Sequence, residues 1–122
     1  MAKYVSIRGW IECDDESLNC VLNVINKYEN EYEKFYLKEE QSKHYQKGWV
    51  FSSVPTGWTR YIFFGADVKN YNVDFFTQQL REICQLKMEI NGRFFLDSDE
   101  GCDESDVYIE IKDDNKVENK PA

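Results

Sequence analysis

The hydrophobic rhythm of the chain changes several times, and each change predicts an element. From Lys3 to Glu12 the period is two: Val5, Ile7 and Ile11 share one side, and Tyr4, Ser6, Arg8, Trp10 and Glu12 the other. That alternation is a strand. Beyond Cys13 the apolar positions move to a spacing of three and four, at Leu18, Val21, Leu22, Ile25 and Tyr28, which predicts an amphipathic helix. Asp14-Asp15-Glu16-Ser17 offers it an N-cap and negative charge in the first turn. The charged run Glu29–Lys34 lets that helix either continue through Tyr32 and Phe35 or fray. Lys38–Lys47 is polar throughout and reads as a loop or a short exposed helix.

The middle of the chain returns to a strand pattern. Segments 48–52 and 59–66 flank a turn at Ser53-Val54-Pro55-Thr56-Gly57-Trp58, a hairpin by its composition. Asn70 and Asn72 are candidate caps for a second helix, whose apolar stripe is Val73, Phe76, Leu80 and Ile83. Asn91-Gly92 reads as a turn, followed by a strand at 93–96, an acidic loop from Asp97 to Asp106, and a strand in which Val107, Ile109 and Ile111 alternate. Asp113-Asp114-Asn115 turns the chain, and 116–118 pairs briefly. The expectation is one α+β domain over residues 1–118 with a flexible tail at 119–122. Its order is β-α-β-β-α-β-β, a mainly antiparallel sheet with two helices on one face. The other face would then display Tyr4, Trp10, Tyr108 and one side of Thr59–Ala66.

Charge changes this picture more than composition does. The chain has 122 residues and a formal charge of −8. Residues 1–96 hold 13 acids against 12 bases, a net of −1, whereas residues 97–122 hold 10 acids against three bases, a net of −7. Such a balance disfavours a non-specific nucleic-acid binder, which needs a positive surface to displace phosphate counterions. No run approaches the roughly 18 apolar residues of a membrane span, and the alternation after Met1-Ala2-Lys3 is not a secretory signal core. The expected compartment is the cytoplasm, with Cys13, Cys20, Cys84 and Cys102 as free thiols.

Candidate chemistry is sparse. The cysteines lack the close pairing that zinc sites use. Asp97, Asp99, Glu100, Asp103, Glu104 and Asp106 suggest calcium, but an EF-hand register beginning at Asp97 puts Gly101 at position five and Cys102 at six, so it fails. His44 is the single histidine and stands in a polar stretch, away from any evident pocket, which leaves Cys84 and every serine without an evident base. Cys84 reads as a small buried hydrophobe. Neither a phosphate loop nor a dinucleotide fingerprint occurs. We therefore expect no catalytic residues, metal or cofactor.

The aromatics divide. Tyr28, Phe76, one of Phe63 and Phe64, and one of Phe94 and Phe95 have core spacing. Trp58, in the turn after Gly57, is hard to bury in a domain this small, and Tyr45, Trp49, Tyr61 and Tyr71 are candidates to surround it. Exposed aromatics stack bases when rimmed by cations, and anchor proteins when rimmed by acids. The charge favours a protein.

Four segments carry a resemblance of type: Lys-Tyr-Val-Ser-Ile-Arg-Gly-Trp-Ile-Glu-Cys at 3–13, Lys-Gly-Trp-Val-Phe at 47–51, Gly-Trp-Thr-Arg-Tyr-Ile-Phe-Phe-Gly at 57–65 and Gly-Arg-Phe-Phe-Leu-Asp-Ser-Asp-Glu-Gly at 92–101. With them the chain resembles the small acidic immunity proteins of bacterial toxin–immunity systems, contact-dependent inhibition included. The resemblance implies a cytoplasmic inhibitor that occludes one cognate toxin domain, often a nuclease, and it carries over no functional residue. The residues expected to meet a basic toxin are Asp97, Asp99, Glu100, Asp103, Glu104 and Asp106 as a steering patch, with Trp58 and Tyr61 as anchors. The alternatives are an acidic nucleic-acid mimic that blocks a DNA- or RNA-binding protein, and a small ligand-binding domain. Oligomeric state is left open.

Overall fold

The first strand settles where everything else goes. In the computed structural model, which describes residues 4–51, 57–98, 107–111 and 117–121, strand β1 (Tyr4–Cys13) lies at the centre of an antiparallel sheet. It pairs with β3 (Arg60–Lys69) on one side and β4 (Ile90–Ser98) on the other. β2 (Trp49–Phe51) adds to the outside of β3, and β5 (Val107–Ile111) and β6 (Val117–Pro121) extend the sheet beyond β4. The order is β2-β3-β1-β4-β5-β6. β1 and β2 run the same way with β3 between them, and β3 and β4 do so with β1 between them. Two split βαβ units are thus interleaved, with a short meander appended.

Helices α1 (Asp15–Tyr28) and α3 (Val73–Cys84) make the two crossovers. Asp14 caps α1, accepting a hydrogen bond from the Ser17 N–H at 2.8 Å. Leu18, Val21, Val24, Ile25 and Tyr28 of α1, and Phe75, Phe76, Leu80 and Ile83 of α3, bury against Ile7, Ile11, Ile62, Phe64, Ile90 and Phe94 of the sheet in one core. The expected α+β class, single domain and antiparallel sheet are present.

The element order departs from the expectation in two places. A third helix, α2 (Glu39–Gln46), occupies the segment read as a loop or an exposed helix, and β6 completes the sheet. The α2 helix docks by polar contacts, which is why no apolar stripe announces it. Ser42 Oγ donates to the Glu29 carbonyl at 3.0 Å, and the Tyr45 hydroxyl receives the Asn72 side-chain amide at 3.1 Å. Gln46 and Gln79 exchange amide hydrogen bonds at 2.9 and 3.0 Å, and their remaining N–H groups reach the Ile25 and Phe75 carbonyls. Asn72, expected as a cap, spends its side chain on Tyr45, and α3 has no side-chain cap.

Asn91-Gly92 does not turn the chain. Both residues lie inside β4, opposite Glu12 and Ile11. A Cβ on Gly92 would sit 2.6 Å from the Trp10 carbonyl oxygen, so the glycine serves close strand approach instead. The reversal falls earlier, between α3 and β4, where Lys87 has a left-handed φ of 56°. Gly9 is more constrained still: a Cβ there would meet the Arg93 carbonyl oxygen at 2.0 Å and Phe94 at 2.7 Å. Its missing side chain lets Phe94 lie across β1 toward Phe76, 5.1 Å away between ring centroids.

Candidate protein-binding face

Because the helices pack on one side, every second residue of β1, β3 and β4 stands on the other. The strand register fixes the rows. Phe63, Trp10 and Arg93 cross the centre, with Val50 of β2 beside Phe63. Tyr61, Glu12 and Asn91 form the row toward one end; Gly65, Arg8 and Phe95, then Asp67, Ser6 and Asp97, lead toward the other. Among the described residues no helix covers this face, and its aromatics remain open: Phe63 is 52% exposed and Tyr61 42%. The choice that sequence spacing left open, between Phe63 and Phe64 and between Phe94 and Phe95, is thereby resolved. Phe64 and Phe94 enter the core, and Phe63 and Phe95 stand on the open side.

The Tyr61 and Phe63 rings are stacked, 6.1 Å between centroids and 14° from parallel. Just past their end of β3, Trp58 is 90% exposed. It borders two adjoining depressions. One, of about 420 Å³, is lined by Gly57, Trp58, Thr59 and Tyr61. The other, of about 290 Å³, brings Glu12, Asp14 and Glu89 around Trp58 together with Cys13, Thr59 and Asn91. Hydrogen bonding from Ser17 holds the Asp14 carboxyl below its ordinary value, so it is an anion at neutral pH. Burial, and then the charge of Asp14, pushes the Cys13 thiol up to about 11, so it stays protonated and is a poor nucleophile. This end of the face presents carboxylates beside exposed rings.

The other end holds one ion pair and one hydrogen-bonded carboxylate. Arg8 forms an ion pair with Asp97, and Ser6 Oγ donates to the Asp67 carboxylate at 2.6 Å. Tyr61 lies opposite Glu12, and Asp97 opposite Ser6, so about 20 Å of β1 separates them. The expected anchors and the first of the expected steering acids therefore occupy opposite ends of one face. Asp99, Glu100, Asp103, Glu104 and Asp106 lie outside the described residues, as does Cys102. The neighbours expected around Trp58 are only partly there. Tyr61 is; Tyr45 is a buried residue of α2, Trp49 packs on Phe64, Phe76 and Phe94, and Tyr71 follows the far end of β3.

Glu12, Asp14 and Glu89 were not singled out together by spacing, because two segments far apart in the chain supply them, the end of β1 and the residue before β4. The alternation that puts Glu12 on Trp10's side of β1 was the one legible signal. His44 is also placed differently from the expectation. It lines a cavity of about 260 Å³ with Tyr4, Glu40, Gln41, Tyr45, Asp67 and Lys69, at the opposite end of β1 from Cys13. That strand is about 30 Å long, so His44 and Cys13 are not a nucleophile–base pair. Among the described residues, no three His, Cys, Asp or Glu side chains stand close enough to share a metal ion, and no helix is long and apolar enough to cross a membrane. No family model, curated protein or solved structure matches this chain.

Proposed function

We propose that this chain is an immunity-type inhibitor, acting in the cytoplasm, that binds a basic toxin domain and covers its active-site surface. The observation that carries the reading is the pairing of exposed, stacked Tyr61 and Phe63 with the carboxylate-lined depression under Trp58. Aromatic side chains bring large apolar area into an interface at small entropic cost. Glu12, Asp14 and Glu89 beside them suit lysine and arginine side chains, which a nuclease carries where it grips phosphate. In this reading Trp58 and Tyr61 anchor the complex. The acids of 97–106 act at longer range and speed encounter.

A base-stacking sheet would use the same aromatics. Two features oppose it here. Arg8 is neutralised by Asp97, and the end that carries the exposed rings carries carboxylates, which repel a phosphate backbone. Acidic mimicry of nucleic acid predicts a different footprint, centred on residues 97–118 and indifferent to Trp58.

The test is binding of a purified toxin domain encoded beside this chain, measured by calorimetry with the wild type and with Trp58→Ala and Tyr61→Ala. Stoichiometric inhibition of the toxin, weakened by both substitutions, supports the reading. Binding that ignores both substitutions but fails when Asp99, Glu100 and Asp103 become lysine supports mimicry.

A further inference from the structure

Helix α2 is held to the fold differently from α1 and α3. Those two each bury an apolar stripe, whereas of the eight residues of α2 only Ser42 and Tyr45 are buried. Hydrogen bonds make most of its contact. Ser42 donates to the Glu29 carbonyl, and Gln46 donates to the Ile25 carbonyl at 2.7 Å and exchanges bonds with Gln79. The Tyr45 hydroxyl accepts from Asn72 and, at 3.3 Å, from the Lys69 N–H. Water can replace each of these bonds when the helix lifts, so each adds little net stability; it cannot replace an apolar stripe. The surface beneath is also one that water can wet, because the buried side chains of Asn72 and Gln79 are polar. Packing at the flanks of α2 is open. One cavity of about 260 Å³ is walled by Lys43, Gln46 and Lys47, and another of about 260 Å³ by Glu40, Gln41 and His44.

The ends of this segment are fixed where its middle is not. Leu37 is buried, and its N–H donates to the Tyr32 carbonyl at 3.1 Å, just past the left-handed Tyr36 with its φ of 59°. At the other end Gly48 lies against β3. Its carbonyl accepts from the Gly65 N–H at 3.1 Å, and a Cβ on it would sit 2.7 Å from the Gly65 carbonyl oxygen. Residues 38–47 lie between these two anchors. An isolated helix of this length does not hold its own in water, so what lifts also unwinds.

We infer that residues 38–47 form a lid, hinged at Leu37 and Gly48, which lifts from α1 and α3 and unwinds as one unit while the sheet and those two helices stay folded. Lifting bares Gln79 and Ile25 and widens the cavity floored by Leu22, Ile25 and Trp49. The helix side of the domain therefore has a second, open form in equilibrium with the closed one.

The test is native-state amide hydrogen exchange of the full chain, read by NMR in low guanidinium and in two variants. The amides from Ser42 to Lys47 are expected to share one opening constant, at least about tenfold larger than that of the Val24 and Leu80 amides. Low denaturant should barely change it, because little surface is exposed on opening. The Gly65 amide, bonded to the fixed end, should stay with the slow set. Gln46→Leu orphans Gln79 only in the closed form, and should speed α2 exchange at least about fivefold. Glu82→Gln weakens the bonds from α3 to Tyr28 and Lys27 of α1 and leaves the lid alone. It should speed Val24 and Leu80 several-fold and the α2 amides less than about twofold. If the α2 amides respond to Glu82→Gln as strongly as the core, the helix leaves only when the whole chain unfolds, and the inference is overturned. It is overturned equally if Gln46→Leu leaves α2 exchange unchanged, or if the α2 amides open at unrelated rates.

Discussion

Tyr61 and Phe63 stand two residues apart on β3 with their rings 6.1 Å apart and nearly parallel, on the side of the sheet away from the helices. A stacked, solvent-facing pair contributes little to folding that a smaller residue would forfeit, but it supplies a rigid apolar platform to a partner. The double substitution Tyr61→Ala/Phe63→Ala is therefore expected to cost less than about 1 kcal/mol of stability in a urea titration. It should weaken partner binding at least a hundredfold, an interface loss of about 2.7 kcal/mol. An equal loss in both measurements would assign the pair to the fold.

Gly9 makes the opposite prediction. Its Cβ position is 2.0 Å from a backbone oxygen of β4 and 2.7 Å from Phe94, and neither can withdraw without parting β1 from β4. Gly9→Ala should destabilise the protein by about 2 kcal/mol or more, read as a lower denaturation midpoint with an unchanged slope. Gly65, whose Cβ would meet nothing within 4 Å, is the control and should tolerate alanine.

The Gln46–Gln79 pair holds α2 to α3. Removing one amide orphans the other in a buried setting, so Gln46→Leu or Gln79→Leu alone should cost about 1–3 kcal/mol. Replacing both leaves fewer unpaired groups, and the double variant should lose less than the two singles added. A double-mutant cycle by chemical denaturation measures that coupling.

Acid stability has a specific source at Glu82. Burial raises its carboxyl, but the Tyr28 hydroxyl at 2.8 Å and the Lys27 ammonium at 3.0 Å outweigh burial and hold it below its ordinary value. A carboxyl depressed in the folded state takes up its proton first in the unfolded chain. Its stabilisation is therefore complete near neutrality and is lost as pH falls below about 4. Glu82→Gln should lower stability by about 1 kcal/mol at pH 7 and change it much less at pH 3. Denaturation at the two pH values checks the difference.

How much of this was legible depended on whether packing was apolar. β1, α1 and α3 announced themselves because Ile7 and Ile11, Leu18 to Tyr28, and Phe76 to Ile83 repeat at the periods of strand and helix. The α2 helix did not, since Ser42, Tyr45 and Gln46 dock through hydrogen bonds that no hydropathy pattern records. Asn91-Gly92 imitates a turn because glycine serves both a turn and a close strand approach, and only the neighbouring Trp10 carbonyl distinguishes them. Trp58 was legible as an exposed ring from its place after Gly57. The carboxylates around it were not, because only the pairing of β4 with β1 brings Glu89 to Glu12 and Asp14.

The central claim is that the Trp58–Tyr61 end of the open face binds a basic protein. The most direct measurement is the association rate with the adjacent-encoded toxin domain, by stopped-flow fluorescence, at low and high salt. Wild type and a Glu12→Lys/Glu89→Lys variant are compared. Predicted are a wild-type rate that falls steeply with salt, and a variant that associates at least tenfold more slowly at low salt yet melts at the same temperature. A rate unaffected by charge reversal, with the toxin still inhibited, would contradict the account.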